Sequence, residues 1–185
     1  MSKHVPAAVV IALIAVGALT LWLMGHPLTC RCGPVALWSG DIWSNQNSQQ
    51  VADPYSFTHI THGVIFFWAL AAVARPLAQS WRMVIAVAIE VAWEIAENTP
   101  MVINRYREAT ISLDYFGDSA LNSAFDVLFC ILGFAIASRI TGRLAAAGVV
   151  AMEVALLLTI RDSLLLNIVM LVIPVEAIRT WQSAR

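Results

Sequence analysis

The stretch 81–101 is long and apolar enough to read as a membrane helix, yet it carries Glu90, Glu94 and Glu97. At about 100° per helical residue the three carboxylates fall within roughly 60° of one another, on one narrow stripe. On insertion scales a charged side chain at the bilayer centre costs about 2.5–3.5 kcal/mol, whereas each Leu, Ile, Val or Phe returns only about 0.3–0.6. A lone lipid-facing helix cannot carry that stripe. The carboxylates must face protein, water or a ligand, and other helices of the chain must enclose them.

The rest of the chain is suited to supply those helices. Of its 185 residues 59% are hydrophobic and 12% charged, where a soluble domain has about 25% charged. The expected fold class is therefore an all-α integral membrane protein. A net charge of −1 gives no electrostatic footprint for nucleic acid, and no such partner is expected. A bilayer core of about 30 Å takes about 20 mostly apolar helical residues. Six segments meet that need: 5–24, 57–75, 81–97, 121–140, 144–160 and 164–178. With no internal repeat and no low-complexity linker, residues 1–185 form a single membrane domain, one bundle of six transmembrane helices. The first apolar run, behind Lys3 and His4, is long for a signal peptide and lacks a small-x-small cleavage site, so it is expected to stay as a span.

Lys and Arg set the expected orientation. With a cytoplasmic N-terminus, the inner side holds Lys3, Arg75, Arg82, Arg139, Arg143, Arg179 and Arg185, and the outer side holds Arg31, Arg105, Arg107 and Arg161. That excess puts both termini in the cytoplasm. The connections 25–56 and 98–117 then lie outside, both rich in Trp or Tyr, which suit the membrane–water interface.

Depth follows from direction. His59 and His62 occupy the outermost turns of the second helix, on one face. The third helix runs outward, with Glu90 near mid-membrane, Glu94 higher and Glu97 at the surface. Asp118, Asn122 and Asp126 repeat every four residues at the start of the fourth helix, and Arg161, Asp162 and Asn167 lie where the fifth meets the sixth. Intramembrane ionisable residues generally face the bundle interior and pair with one another, so these stripes are expected to converge in the outer half of the membrane. A Glu in an apolar site can work as general acid or base with His as its partner, which makes Glu94 and His62 the candidate catalytic pair. His59, Glu97, Asp118 and Asn122 are candidate ligand-binding residues. Arg105, Arg107 and Arg161 could clamp an anionic head group through their planar forks. Two imidazoles among carboxylates could also hold a divalent metal such as Zn, Mn or Fe, the one cofactor the residues suggest. The expected partners are the lipid bilayer and an envelope lipid or lipid-linked precursor.

Plainer roles stand beside these. Glu94 and Glu97 can pair with the arginines and fix helix packing, and Asp118 can serve as a helix N-cap. The whole set could belong to a non-catalytic scaffold, or to a proton- or cation-coupled carrier with Glu90 and Glu153 on a deeper path. Cys30 and Cys32 are close for an ordinary disulfide and form a strained one, free thiols or bonds to another chain; Cys130 is a packing residue.

Four strings also carry a resemblance: SFTHITHG at 56–63, WEIAENTP at 93–100, NRYR at 104–107 and DYFGDSALN at 114–122. With them the chain resembles an uncharacterised family of bacterial multi-pass inner-membrane proteins of unknown function, which implies an inner-membrane location and no particular reaction. A looser resemblance is to VanZ-like membrane proteins, which place His early in one helix, a Glu-rich stretch in the next and Asp-x-x-x-Asn at the start of a third. The matching positions are His59 or His62, Glu94 and Glu97, and Asp118 with Asn122. Asp126 stands where that pattern expects Gly, and Gly133 is the nearest later Gly. That resemblance implies a role in the cell envelope, in contact with a glycopeptide or lipid-linked precursor.

Overall fold

The structure, a computed structural model, describes residues 5–112 and 114–184; Lys3 and Arg185, counted above for orientation, lie outside them. The described residues are helical and irregular, with no strand. In chain order the helices are α1 (Val5–Leu23), α2 (Ser56–Val73), α3 (Gln79–Glu97), α4 (Pro100–Ala109), α5 (Ala120–Ala137), α6 (Gly142–Ile160), α7 (Leu164–Val172) and α8 (Glu176–Ser183). Four of them, α1, α2, α5 and α6, are long and apolar enough to cross a membrane. α3 has 19 residues like α1 and packs among α1, α2 and α5, so a membrane crossed by those three also contains α3. Its charged residues, Arg82 and the carboxylates, keep it from reading as a span.

Apolar residues sit on the outside as well as the inside. Ile11, Val16 and Leu19 of α1 and Leu144, Val150 and Leu158 of α6 are all exposed. In water such helices would have no reason to stand in place. Lipid removes the penalty, because exposed side chains then meet hydrocarbon.

The inner packing is built on small residues. Gly63 of α2 lies against the backbone of Cys130 and Phe134, and Gly133 of α5 lies against the backbone of Ile60. The two helices touch main chain to main chain, as small-residue interfaces in membranes allow. Phe134 fills the space below with Leu70 and Ala86. On the other flank Val87 and Val91 of α3 pack with Val127 of α5 and with Val10, Leu13 and Ile14 of α1.

One end of the bundle is closed by tight turns between α2 and α3 and between α5 and α6. At the other end the segment 24–55 folds down as a cap. The N-terminus of α5 shows why it stays there. A helix start leaves backbone N–H groups without intrahelical partners, and here Ser119, Ala120 and Leu121 donate to the carbonyls of Ser48, Pro27 and Leu28, at 3.0, 2.9 and 3.0 Å. Asn122 N–H goes to Ser119 Oγ. Ser119 is thus the N-cap, the role considered for Asp118. Gly117, at φ +90° between His26 and Asn98, leaves no room for a side chain. Within the cap, Cys30 and Cys32 are joined in a disulfide.

The region 164–178 differs from the single span expected there. It forms two short helices, separated around Pro174. Nine residues of α7 reach only about 14 Å at about 1.5 Å per residue, half of a bilayer core. Leu164 and Leu165 N–H donate to the carboxylate of Glu153, which starts α7 below the end of α6. Gln182 of α8 donates to Asp162, and Arg161 donates to the carbonyl of Trp181. The C-terminal helix therefore returns to the cap end, whereas α1 starts at the end with the tight turns. This departs from the expectation of both termini on one face.

Candidate functional site

α2, α3 and α5 bring His, Glu and Asp side chains together just beneath the cap. His59 Nδ1 lies 2.6 Å from Glu90 Oε1 and 3.4 Å from Glu94 Oε1, and its Nε2 lies 3.9 Å from Asp126 Oδ2. His62, one turn further along α2, places Nδ1 3.1 Å from both oxygens of Glu90. The two imidazoles meet edge to face, 5.3 Å between centroids. His59, Glu90, Glu94 and Asp126 are all buried. The carboxylate that engages both histidines is Glu90, the one that depth alone had left without a partner.

Glu94 is the exception in this network. It is 1% exposed, and neither carboxylate oxygen has a hydrogen-bond donor among the described residues. Buried polar groups are nearly always satisfied, so each exception calls for a reason. His59, Glu94 and Asp126 can each bring a ligand atom within 4.8 Å of the other two, as can His59, His62 and Glu90; these are the sets that could hold a metal.

Above His59 and His62 a narrow cavity, with about 70 Å³ of space open to water-sized groups, rises toward the cap. Glu97, Asp118, Asp126 and Asp53 line it together with Tyr55, Tyr106 and Tyr115. Leu164, Ile168 and Leu171 of α7 line it as well, with Asn167 among them. α7 thus forms a wall that the sequence reading had assigned to a span.

The polar wall is held by ties to the cap. Asn98 Nδ2 donates to Asp118 Oδ2 at 2.6 Å, Asp118 N–H returns to Asn98 Oδ1 at 2.6 Å, and Tyr115 Oη donates to Asp118 Oδ1 at 2.9 Å. Asp53 accepts from the N–H groups of Ser48 and Tyr55. Burial pushes both Asp53 and Asp118 above the usual carboxylate range, against the hydrogen bonds that pull them down. Asn122 is not in the cavity; its Nδ2 donates to the carbonyl of Gln50, fixing the cap to α5.

The arginines are elsewhere. Arg105 donates to the carbonyls of Leu171 and Val172, Arg107 to that of Tyr115, and Arg161 to that of Trp181. Each ties one outer segment to another, and none lines the cavity. The clamp for an anionic head group is therefore not assembled around this space.

Sequence reasoning missed Asp53, Tyr55, Asn98 and α7 as contributors. Asn98 had a signal, since it directly follows the last glutamate of the stripe. Asp53 and Tyr55 had none, lying in an irregular segment with no period to read.

Residues 21–184 match the sequence profile of a family described as "Protein of unknown function (DUF2585)". A UPF0314 protein of Sphingopyxis alaskensis is 50% identical over 172 residues, 93% of this chain and 92% of its own length. A UPF0314 protein of Paracoccus denitrificans is 46% identical over 92% of this chain and 89% of its own. One of Brucella anthropi is 41% identical over 96% and 90%. No solved structure matches the fold.

Proposed function

The chain belongs to the DUF2585 family of bacterial proteins of unknown function, and from that premise we propose a role for its cavity. The protein is a multi-pass component of the bacterial inner membrane whose cavity opens on the outer face and binds an envelope lipid or lipid-linked precursor.

The observation that carries this reading is the mixed lining of the cavity. Leu164, Ile168 and Leu171 offer a wall for an acyl or prenyl chain, and the tyrosines, Asp118 and Glu97 offer acceptors for a head group. Ligand sites combine apolar surface with convergent polar groups, and in this one polar residues predominate. Carboxylates select a head group rich in hydroxyl or amino donors, so a sugar- or amine-bearing head fits the lining directly. A phosphate would need a counter-charge that Arg105, Arg107 and Arg161 do not bring into the cavity. Orientation is supported by the Cys30–Cys32 disulfide within the cap, because disulfides persist in the periplasm and are rare in the cytosol. At the opposite end Arg75, Arg82, Arg139 and Arg143 flank the tight turns, as cytoplasmic loops require.

If the site performs chemistry, His62 is its acid–base group. It faces the cavity, and Glu90 rather than Glu94 orients its ring. A scaffold role has one observation of its own: Asn98, Asp118 and Asn122 spend their hydrogen bonds on tying cap to bundle.

The test is lipid retention. Protein purified in mild detergent should carry about one lipid per chain by native mass spectrometry, and Ile168→Trp, which fills the cavity, should release it. Equal lipid content in the two proteins would overturn the proposal in favour of the scaffold.

A further inference from the structure

Beneath the cavity, charge does not balance. His59 is surrounded by Glu90, Glu94 and Asp126 within 3.9 Å. Even with His59 and His62 both protonated, the two imidazoles balance two of the three carboxylates, which leaves one without compensation in a buried place. The penalty for burying an unpaired ion is several kcal/mol after relaxation, and no Arg or Lys side chain reaches this group among the described contacts.

The hydrogen bonds show where the missing charge belongs. Glu90 has both oxygens engaged by the two imidazoles. Glu94, 1% exposed, has no hydrogen bond to either oxygen among the described residues, and its charged contact is His59 Nδ1 at 3.4 Å. With Glu90 taking the N–H at His59 Nδ1, the lone pair at Nε2 is left facing Asp126 Oδ2. This is the arrangement of metal-binding histidines, which donate their second ring nitrogen to a carboxylate that fixes tautomer and orientation. Asp126 itself receives one weak donor, Ser56 Oγ at 3.3 Å on its other oxygen.

We infer that His59, Glu94 and Asp126 form the binding site for a divalent first-row transition-metal ion, with Glu90 as the orienting partner of His59. One imidazole and two carboxylates suit Zn²⁺, Mn²⁺ or Fe²⁺, and their ligand atoms already gather within 4.8 Å of one another. Three protein ligands would leave a coordination position open, and two of them, His59 and Asp126, line the cavity. A cation there would supply the counter-charge that lets an acidic cavity accept a phosphate-bearing head group. The inference deepens the reading of the cavity given above and rests on it for what reaches the open position, but not for metal binding itself.

The full-length protein in detergent, stripped with EDTA and dialysed against ZnCl₂ or MnCl₂, is the material for the test. One equivalent of metal per chain is expected by elemental analysis. Glu94→Gln and Asp126→Asn should each weaken binding at least tenfold by titration calorimetry, and Glu90→Gln by about 10–100-fold. Size-exclusion profiles matching the parent protein would show that these isosteric variants fold. Loading with Co²⁺ gives a second readout that needs no variant, a visible d–d spectrum reporting nitrogen and oxygen ligands. Absence of metal after loading, or full retention by Glu94→Gln, overturns the site. Metal bound by a protein without lipid would leave this site standing and remove only the lipid reading; lipid bound without metal would do the reverse.

Discussion

Two glutamates one turn apart on α3 meet opposite fates. Glu90 accepts from both histidines, whereas Glu94 is equally buried and accepts no hydrogen bond among the described residues. An unsatisfied buried group costs about 1–3 kcal/mol, more when charged, and replacing it with an apolar group of similar shape is often stabilising. Glu94→Met should therefore raise the melting temperature of the metal-free protein by a few degrees, and Glu90→Met should lower it. Differential scanning fluorimetry in EDTA reads both, and a fall in each would show that Glu94 has a structural partner. Asp162 adds a pH-dependent case at the outer end of α6. Burial pushes its carboxyl up to about 6, although Ser163 N–H, Tyr55, Gln182 and Asn167 all donate to it. A raised folded-state value means that its contribution is fully present below the ordinary Asp value and is lost as pH rises to about 6. The stability advantage of the parent over Asp162→Asn should shrink between pH 4 and 6, by about 3 kcal/mol at most at about 1.4 kcal/mol per unit. A gap that widens with pH would contradict the raised value.

At the scale of helices, the site depends on how closely α2 approaches α5. Gly63 and Gly133 each face rigid backbone, where a Cβ cannot be accommodated by turning a side chain away. Gly63→Ala or Gly133→Ala must push the helices apart, at a cost of about 1–3 kcal/mol or more, and must carry His59 away from Asp126. Gly148 of α6 has open space beside it, so Gly148→Ala should be neutral or stabilising by about 0.5–1 kcal/mol. Thermal unfolding of the three variants compares them directly; equal behaviour would mean that the close approach is not needed. The same scale explains what the sequence disclosed. The four apolar spans were legible from length and hydropathy, and α3 from its flanks. The pairing of His62 with Glu90 was legible too, since one lies six residues after the start of α2 and the other seven before the end of α3. Depth had been judged along α3 alone, without counting against its antiparallel neighbour. The break in 164–178 carried a signal in Pro174, which cannot donate a helical hydrogen bond, but apolar composition outweighed it. That α7 would turn back to wall a cavity depends on Glu153 catching its N-terminus, a contact between helices that no periodicity contains.

For the molecule as a whole, five long helices and a returning C-terminal segment change the inference from charge. With α8 at the cap end, Arg179 joins Arg31, Arg105, Arg107 and Arg161 there, and the simple excess of inner Lys and Arg disappears. Three of those outer arginines are bound to main-chain carbonyls within the folded cap and short helices. The tight turns at the other end, with Arg75, Arg82, Arg139 and Arg143 and no acidic residue in 74–82 or 138–143, keep the positive-inside signal in its strongest form. The disulfide gives an independent criterion, because it needs an oxidising compartment. Both support the proposed periplasmic cap, and on that reading the C-terminus is expected in the periplasm. A phosphatase that folds only in the periplasm should be active when fused after Arg185, and a fluorescent protein that matures only in the cytoplasm should be dark there. In cells with a permeabilised outer membrane, an impermeant maleimide should label Cys32 only after reduction, with buried Cys130 silent. A bright C-terminal fluorescent fusion with Cys32 labelled would mean that 164–178 crosses the membrane after all, and that α7 is no wall of the cavity.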